Sequence, residues 1–172
     1  LRPRRTELLG IFEPDCMALG RWWASSTARR SCRGGYGVLP VPAELPGALD
    51  TLDAMLDGSR SAFETFLRIP LPARRRNIEL DWKDYDDLGY LSGHSVGEAE
   101  GAMFDALVQT HASLDIPLII LSAGQLDAPQ LGELFYFLEL TAALCAATDG
   151  LNPFDRKRSS PTRAQAAALL RG

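Results

Sequence analysis

The chain has 172 residues, of which 46% are hydrophobic and 23% are charged, and its formal net charge is −4. This length suits one domain with one hydrophobic core, and the composition excludes a disordered or fibrous protein. Five of the 18 basic residues lie in residues 156–172, which contain no acid, so the other 155 residues carry 13 bases, 22 acids and a charge of −9. An acidic body of this kind makes nucleic acid an unexpected partner.

The sequence predicts neither a membrane span nor a signal peptide. The most apolar run, residues 134–147, contains Glu139 and is shorter than the ~20 residues that a spanning helix needs. The amino terminus lacks a long apolar region before a small-residue cleavage site. The three cysteines are odd in number and widely spaced, which predicts free thiols rather than disulfides or a zinc site. Because Leu1 is not Met, we expect a processed chain or a piece of a longer one.

The first half of the chain predicts short strands with helices between them. Residues 7–15 are typical of a buried strand that runs into a helix, and residues 36–41 form a second predicted strand. A helix with apolar residues at helical spacing follows and ends at Gly58. A third strand is predicted within residues 61–71, and a fourth around residues 77–80.

The second half contains the clearest helix signals. Ser95 and Glu98 have the spacing of a capping box, in which each side chain binds the free backbone N–H of the other residue. Residues 116–123 are almost wholly apolar, which predicts a strand covered on both faces. Asp127 is the predicted N-cap of a helix that runs to about Ala147 and is apolar nearly all round, so we expect it to be deeply packed.

This alternation predicts an α/β domain with a mostly parallel sheet flanked by helices. The sequence shows no internal repeat and no interdomain linker. Its compositional break comes at Arg156, so residues 1–155 form the predicted domain and residues 156–172 a separate basic segment.

Five segments between residues 7 and 155 carry a family resemblance through their shared order and spacing. They are LLGIFEPDCMALGRWWASS, GYGVLPVPAEL, GSRSAFETFL, DYDDLGYLSGHS and GELFYFLELTAALCAATDGLNPFD. Together they resemble the carboxy-terminal portion of glucose-6-phosphate isomerase of the shorter bacterial type. The resemblance implies the second of two sugar-isomerase (SIS) domains, with three layers, and the first domain is absent from this sequence.

The resemblance implies a function as well as a fold. The family reversibly converts glucose 6-phosphate and fructose 6-phosphate in cytoplasmic glycolysis and gluconeogenesis, with no metal and no organic cofactor. The implied ligand is a sugar phosphate. The implied protein partner is a second copy in a homodimer, across which the family's active site is completed, or the missing amino-terminal SIS domain. Neither nucleic acid nor a membrane is expected.

Aldose–ketose isomerisation needs a proton shuttle to open the ring, a carboxylate to move the proton between C1 and C2, and a donor to stabilise the enediolate. The family uses His, Glu and Lys for these tasks. The position of the Glu falls on Arg29, counted from the Trp pair, and the sequence has no carboxylate between Glu13 and Glu44. An Arg stays protonated and cannot act as a base.

The two other catalytic positions are also occupied by different residue types. The position of the His falls on Asp50, and no His precedes His94. The position of the Lys falls on Arg163, after a motif that keeps Phe154 and Asp155 and then diverges from Arg156 onwards. Arg keeps the positive charge but not the geometry of Lys. We therefore predict that this chain alone has little or no isomerase activity, and the sequence does not identify its substrate-binding residues.

Two other interpretations remain open at this point. The chain is a non-catalytic SIS module that binds a sugar phosphate or pairs with another chain, or it is a gene remnant with exposed apolar surface. A replacement proton shuttle would have to be one of the only two histidines, His94 and His111, which are instead interpreted as residues near helix ends. Trp22 and Trp23 are interpreted as core or interface residues.

Overall fold

The computed structural model describes residues 6–30, 37–58, 62–69, 77–79, 84–85, 87–124, 127–155 and 160–171. Within these residues four strands form one sheet, and helices lie on both of its faces. The strands are β1 (Thr6–Ile11), β2 (Leu39–Glu44), β3 (Ala62–Arg68) and β4 (Leu118–Ser122). The helices are α1 (Met17–Arg30), α2 (Leu49–Gly58), α3 (Val96–Ser113), α4 (Ala128–Thr148) and α5 (Pro161–Leu170).

The sheet has the strand order β2-β1-β3-β4, and every pair of neighbouring strands is parallel. Parallel neighbours require a long crossover between them, and α1, α2 and α3 lie in the three crossovers. The predicted α/β fold with a parallel sheet flanked by helices is confirmed.

One face of the sheet packs against α1 and α4. Alternate residues of β1 point to this face, so Leu9 and Ile11 enter a buried cluster with Trp23 of α1 and Leu138 of α4. Trp22 is partly buried and meets Phe135 edge to face, with ring centroids 4.5 Å apart. The interpretation of the Trp pair as packing residues is confirmed.

The other face packs against α2 and α3. Leu8 and Phe66 enter a second buried cluster with Leu52 of α2 and Phe104 of α3. The rings of Phe66 and Phe104 meet edge to face, with their centroids 6.1 Å apart. Full burial of each such side chain contributes roughly 1.5–3 kcal/mol, so the two clusters hold the three layers together.

The predicted helix starts at Ser95 and Asp127 are confirmed. The Ser95 amide donates to Glu98 Oε2 at 2.7 Å, and the Glu98 amide donates to Ser95 Oγ at 3.2 Å. The Asp127 side chain accepts a hydrogen bond from the Gln130 amide at 2.9 Å. These contacts satisfy amide groups that a helix leaves free in its first turn.

The prediction of a strand around residues 77–80 is wrong for the residues that the structure describes there, 77–79. Asn77 makes only an isolated antiparallel bridge to Ser95. The Ile78 amide donates to the His94 carbonyl at 2.8 Å, so this segment is held by the loop before α3 rather than by the sheet. Residue 80 lies outside the described residues.

The predictions that β4 is covered on both faces and that α4 is deeply packed are also wrong. β4 lies at the edge of the sheet among the described strands, and Ile119 and Ile120 are 46% and 44% exposed. On α4, Tyr136 is 71% and Leu144 is 58% exposed. The physical reason is that α4 uses one side against α1 and β4, and no described element covers its other side.

By length and apolar composition, α4 is the one helix among the described residues that resembles a membrane span, with 17% of its apolar window buried. A helix from the core of a domain meets the same criteria. Here α4 is bound to α1 through Glu139, which accepts a hydrogen bond from Ser26 and forms an ion pair with Arg30. These polar contacts favour the interpretation of α4 as a helix packed within the domain rather than as a membrane span.

Candidate functional site

The topology of the parallel sheet indicates where a ligand would be expected to bind. In open α/β sheets, ligands bind beyond the carboxyl ends of the strands, at the point where the strand order reverses. Here that point lies between β1 and β3, because the chain passes from β1 to β2 on one side and from β3 to β4 on the other. Phe12 and Ile69 follow the carboxyl ends of these two strands.

Asp50 and Arg29 lie at opposite ends of this sheet. Asp50 is exposed in the first turn of α2, shortly after β2 reaches the carboxyl end. Arg29 is exposed in the last turn of α1, which has returned to the amino end before β2 begins. The Arg29 Nε donates to the Ser25 carbonyl, one turn back on its own helix, at 3.1 Å. One copy of the chain therefore does not bring these two predicted positions together.

Arg163 follows α4 and is exposed in the first turn of α5, where its amide donates to Ser160 Oγ at 3.4 Å. α4 runs in the same direction as α1, because Trp22 packs on Phe135, and Arg30 pairs with Glu139 further along both helices. Both helices therefore run towards the amino end of the sheet, which is the end where Arg29 lies. Arg156, where the sequence motif diverges, lies outside the described residues.

A cavity of about 600 Å³ lies beside α3 and the carboxyl end of β1. Its lining is mostly apolar: Phe12, Pro46, Tyr90, Leu91, His94, Val96, Glu98, Ala99, Glu100, Ala102, Met103 and Ala106. The described lining has two carboxylates and no Arg or Lys, which disfavours a phosphate group there. The cavity therefore suits an apolar or cationic group better than a sugar phosphate.

The polar groups at this cavity already have structural roles. Glu98 belongs to the capping box, and its hydrogen bond from the Ser95 backbone holds the pKa of the Glu98 carboxyl below its ordinary value. His94 Nδ1 is 4.0 Å from Glu98 Oε2, and His94 is exposed. Neither geometry indicates a replacement proton shuttle, which needs a partly buried group within reach of a substrate.

A buried polar cluster that the sequence did not predict lies on the α2 and α3 side of the sheet. His111 Nδ1 is 2.8 Å from Glu64 Oε2, and His111 Nε2 is 3.0 Å from Asp53 Oδ1. His111 and Glu64 are almost fully buried, whereas Asp53 is exposed. Burial raises the pKa of the Glu64 carboxyl, and the hydrogen bond and charge of His111 oppose that rise.

One signal in the sequence pointed to this cluster. Glu64 stands in a strand made largely of apolar residues, and a buried carboxylate needs a partner. The interpretation of His111 as a residue near a helix end is correct in position, but its ring is enclosed by two carboxylates. Its distant partners were not visible in the sequence, because they are 47 and 58 residues away along the chain.

A second buried carboxylate, Glu7 of β1, lies on the opposite face. It accepts hydrogen bonds from Thr65 Oγ1 at 2.7 Å and from Trp23 Nε1 at 3.2 Å. These bonds join α1, β1 and β3, so Glu7 has a structural explanation. Within the described ranges, no group of three or more His, Cys, Asp or Glu side chains could hold a metal ion.

We use the name β4–α4 face for the exposed apolar side chains of β4 and α4 taken together. It consists of Ile119, Ile120, Tyr136, Phe137, Leu140 and Leu144. A groove of about 370 Å³ lies beside it, between the end of β4 and the start of α4. Large apolar side chains exposed on neighbouring elements are typical of an interaction site or of an aggregation-prone surface.

The fold and the sequence both have known counterparts. No protein-family model matches the sequence. The crystal structure of a hypothetical protein from Thermus thermophilus superimposes with a TM-score of 0.81 at 16% identity, over 98% of this chain and 42% of that one. This similarity shows the fold: a three-layer α/β domain with a parallel sheet.

The sequence comparison names a particular enzyme. Glucose-6-phosphate isomerase of Listeria monocytogenes is 29% identical over 166 residues, which are 96% of this chain and 37% of the enzyme. The enzymes of Enterococcus faecalis and Staphylococcus epidermidis are 27% and 30% identical over 97% and 96% of this chain. The resemblance to part of glucose-6-phosphate isomerase is confirmed, and the chain spans less than two fifths of the length of these relatives.

Proposed function

We propose that this chain is the carboxy-terminal portion of a protein like glucose-6-phosphate isomerase, and that alone it interconverts glucose 6-phosphate and fructose 6-phosphate little or not at all. The observation that carries the proposal is the residue type at the three positions onto which the resemblance maps the family's catalytic residues, Arg29, Asp50 and Arg163. The fold elements around them are retained, while the side chains that the reaction needs are replaced. This pattern is expected when a site is lost from a fold that is kept.

The chemistry supports this proposal at each position. A guanidinium at Arg29 stays protonated and cannot remove the proton from C2. Asp50 is an exposed carboxylate in the first turn of α2, in place of the imidazole that the family uses to open the ring. Arg163 keeps a positive charge that binds an anion, but charge without a base gives binding and no turnover.

The proposal includes a protein partner. The relatives are more than twice as long as this chain, so a further portion of polypeptide would cover part of its surface. The β4–α4 face is the apolar surface that such a partner would bury. We propose either an amino-terminal domain of the same type or a second copy of the chain as that partner. In this proposal residues 1–155 are the domain, residues 156–172 are an added basic segment, and the protein is cytoplasmic.

The test is an isomerase assay that couples glucose 6-phosphate formed from fructose 6-phosphate to a dehydrogenase. The chain must be purified free of the host's isomerase, and an identically treated preparation without the chain is the control. We expect turnover equal to that control. We expect the same for Arg29→Glu, because the other two positions remain replaced. Turnover clearly above the control in the unmodified chain would contradict the proposal.

A second candidate is a module without catalysis that pairs with another chain, which the exposed β4–α4 face favours, or that binds a sugar phosphate, for which Arg163 supplies a positive charge. Such binding stabilises the folded state as ligand concentration rises above Kd. We would measure thermal unfolding with fructose 6-phosphate and, as a control, with inorganic phosphate at equal ionic strength. A rise in Tm specific to the sugar phosphate, without turnover, supports a binding module. No rise with either anion leaves subunit pairing as the favoured non-catalytic function.

A further inference from the structure

The cluster of Asp53, Glu64 and His111 joins three separate elements through one imidazole ring. Asp53 lies on α2, Glu64 on β3 and His111 on α3. Both ring nitrogens lie within hydrogen-bond distance of a carboxylate oxygen, at 2.8 Å for Glu64 and 3.0 Å for Asp53. The ring is 1% exposed and the Glu64 side chain is fully buried. The cluster thus attaches both helices of this face to the sheet.

The geometry fixes how many protons the cluster binds. Each contact joins a ring nitrogen to a carboxylate oxygen, and a hydrogen bond requires one proton between them. A neutral imidazole has only one N–H, which serves one of the two contacts. The second contact needs another proton, either on the ring or on the Glu64 carboxyl. In both cases the folded cluster has two bridging protons and a net charge of −1.

The unfolded chain binds fewer protons at neutral pH. With ordinary side-chain pKa values of about 6.5 for His and about 4 for Asp and Glu, the same three groups have one proton between them above about pH 7. We propose that folding of this chain takes up about one proton at the Asp53–Glu64–His111 cluster, so that α2 and α3 are held to the sheet less strongly as pH rises above neutrality.

The surroundings of Glu64 support a second bound proton. The strand neighbours of Glu64 in register are Leu8 of β1 and Leu118 of β4, which are apolar. In the described part of the chain, the charged groups that act on Glu64 are His111 of α3 and Asp53 of α2. Glu64 Oε1 has no hydrogen-bond partner among the described residues, so an ionised Glu64 is poorly solvated.

The direction of the pH dependence follows from these proton numbers. Burial raises the pKa of Glu64, which favours a second proton in the folded cluster. The folded cluster then binds one proton more than the unfolded chain above the ordinary His pKa of about 6.5, so the stability from the cluster falls as pH rises beyond that value. Between about pH 5 and 6.5 both states bind two protons, and stability from this cluster is constant. Above about pH 7 the unfolding equilibrium constant should rise about tenfold per pH unit for as long as the folded cluster keeps both protons.

The test compares urea unfolding at pH 7 and pH 8 for the unmodified chain, Glu64→Gln and His94→Gln. The upper limit avoids Cys16 and Cys145, because burial raises the pKa of both thiols and they contribute a similar pH dependence above about 8.5. In Glu64→Gln the amide donates to Nδ1 and the single ring proton serves Asp53, so folding takes up no extra proton. The exposed His94 is the matched control.

We expect the unfolding equilibrium constant to rise about tenfold from pH 7 to pH 8 in the unmodified chain and in His94→Gln. In Glu64→Gln we expect it to rise less than about twofold. Equal pH dependence in all three proteins overturns the proposal. If Glu64→Gln does not fold, refolding the unmodified chain in weakly buffered solution at pH 7.5 decides the matter. Uptake of about one proton per chain supports the proposal, and uptake near zero overturns it.

Discussion

Ser26 of α1 donates a hydrogen bond to Glu139 of α4 at 3.1 Å, and α4 also carries exposed apolar side chains such as Tyr136 and Leu144. Arg30 pairs with the other oxygen of the same carboxylate. One polar residue in a largely apolar helix therefore sets how α4 lies against α1. The opposite side of α4 remains available to a partner.

Removal of this carboxylate should destabilise the domain. For Glu139→Ala we expect a loss of about 1–2 kcal/mol in the free energy of unfolding, because Ser26 loses its acceptor and a partly exposed ion pair is lost. Glu133→Ala, at an exposed position of the same helix, is the control and should change stability by less than about 0.5 kcal/mol. Urea unfolding monitored by Trp fluorescence measures both variants, and equal losses would contradict the assigned role of Glu139.

The second prediction concerns the close packing of β1. A Cβ added at Gly10 would lie 2.5 Å from Phe66 Cδ1 and 2.8 Å from Leu45 Cδ1. Gly10→Ala should therefore destabilise the protein by about 1–3 kcal/mol through overpacking. Gly132→Ala on α4 is the matched control, because no atom lies within 4 Å of its added Cβ. We expect Gly132→Ala to be neutral or stabilising by up to about 1 kcal/mol. If Gly10→Ala is as stable as the unmodified chain, the core around Gly10 can relax and the prediction is wrong.

The third prediction concerns the pH dependence of the α3 cap. The Ser95 backbone hydrogen bond lowers the pKa of Glu98, so the ionised carboxylate stabilises the helix above its unfolded pKa and loses this effect as pH falls through its folded pKa. The stability difference between the unmodified chain and Glu98→Gln should be largest near pH 6 and should shrink towards pH 3. A difference that is constant across this range would show that the charge of Glu98 does not contribute.

The fourth prediction tests whether the β4–α4 face causes self-association. Leu140→Lys and Leu144→Lys should increase the monomeric fraction and reduce binding of a hydrophobic dye, because both side chains are substantially exposed. Their free energy of unfolding should change little. Leu138→Lys, at a buried position of the same helix, should instead unfold the domain. Sedimentation and dye fluorescence provide the measurements, and unchanged association in the two surface variants would place the contact elsewhere.

Much of the architecture was predictable because its signals are local. The capping box of Ser95 and Glu98 and the N-cap at Asp127 depend on residues three apart, so the sequence alone located both helix starts. Strand and helix alternation likewise follows from short periodic patterns, and it predicted the α/β class. The same local patterns could not show which strand lies at the edge of the sheet, and for this reason the burial predicted for β4 and α4 was wrong.

The candidate site also has properties that the sequence predicted and properties that depend on three-dimensional packing. The residue types at Arg29, Asp50 and Arg163, the positions that the resemblance predicts to be catalytic, follow from the sequence without any structure, since an Arg at position 29 cannot be a base in any fold. Packing of the chain in three dimensions placed Arg29 and Asp50 at opposite ends of the sheet and enclosed His111 between Glu64 and Asp53. The reason is physical: chemical identity belongs to each residue, whereas distance, burial and shared protons arise when helices and strands far apart in the chain pack together.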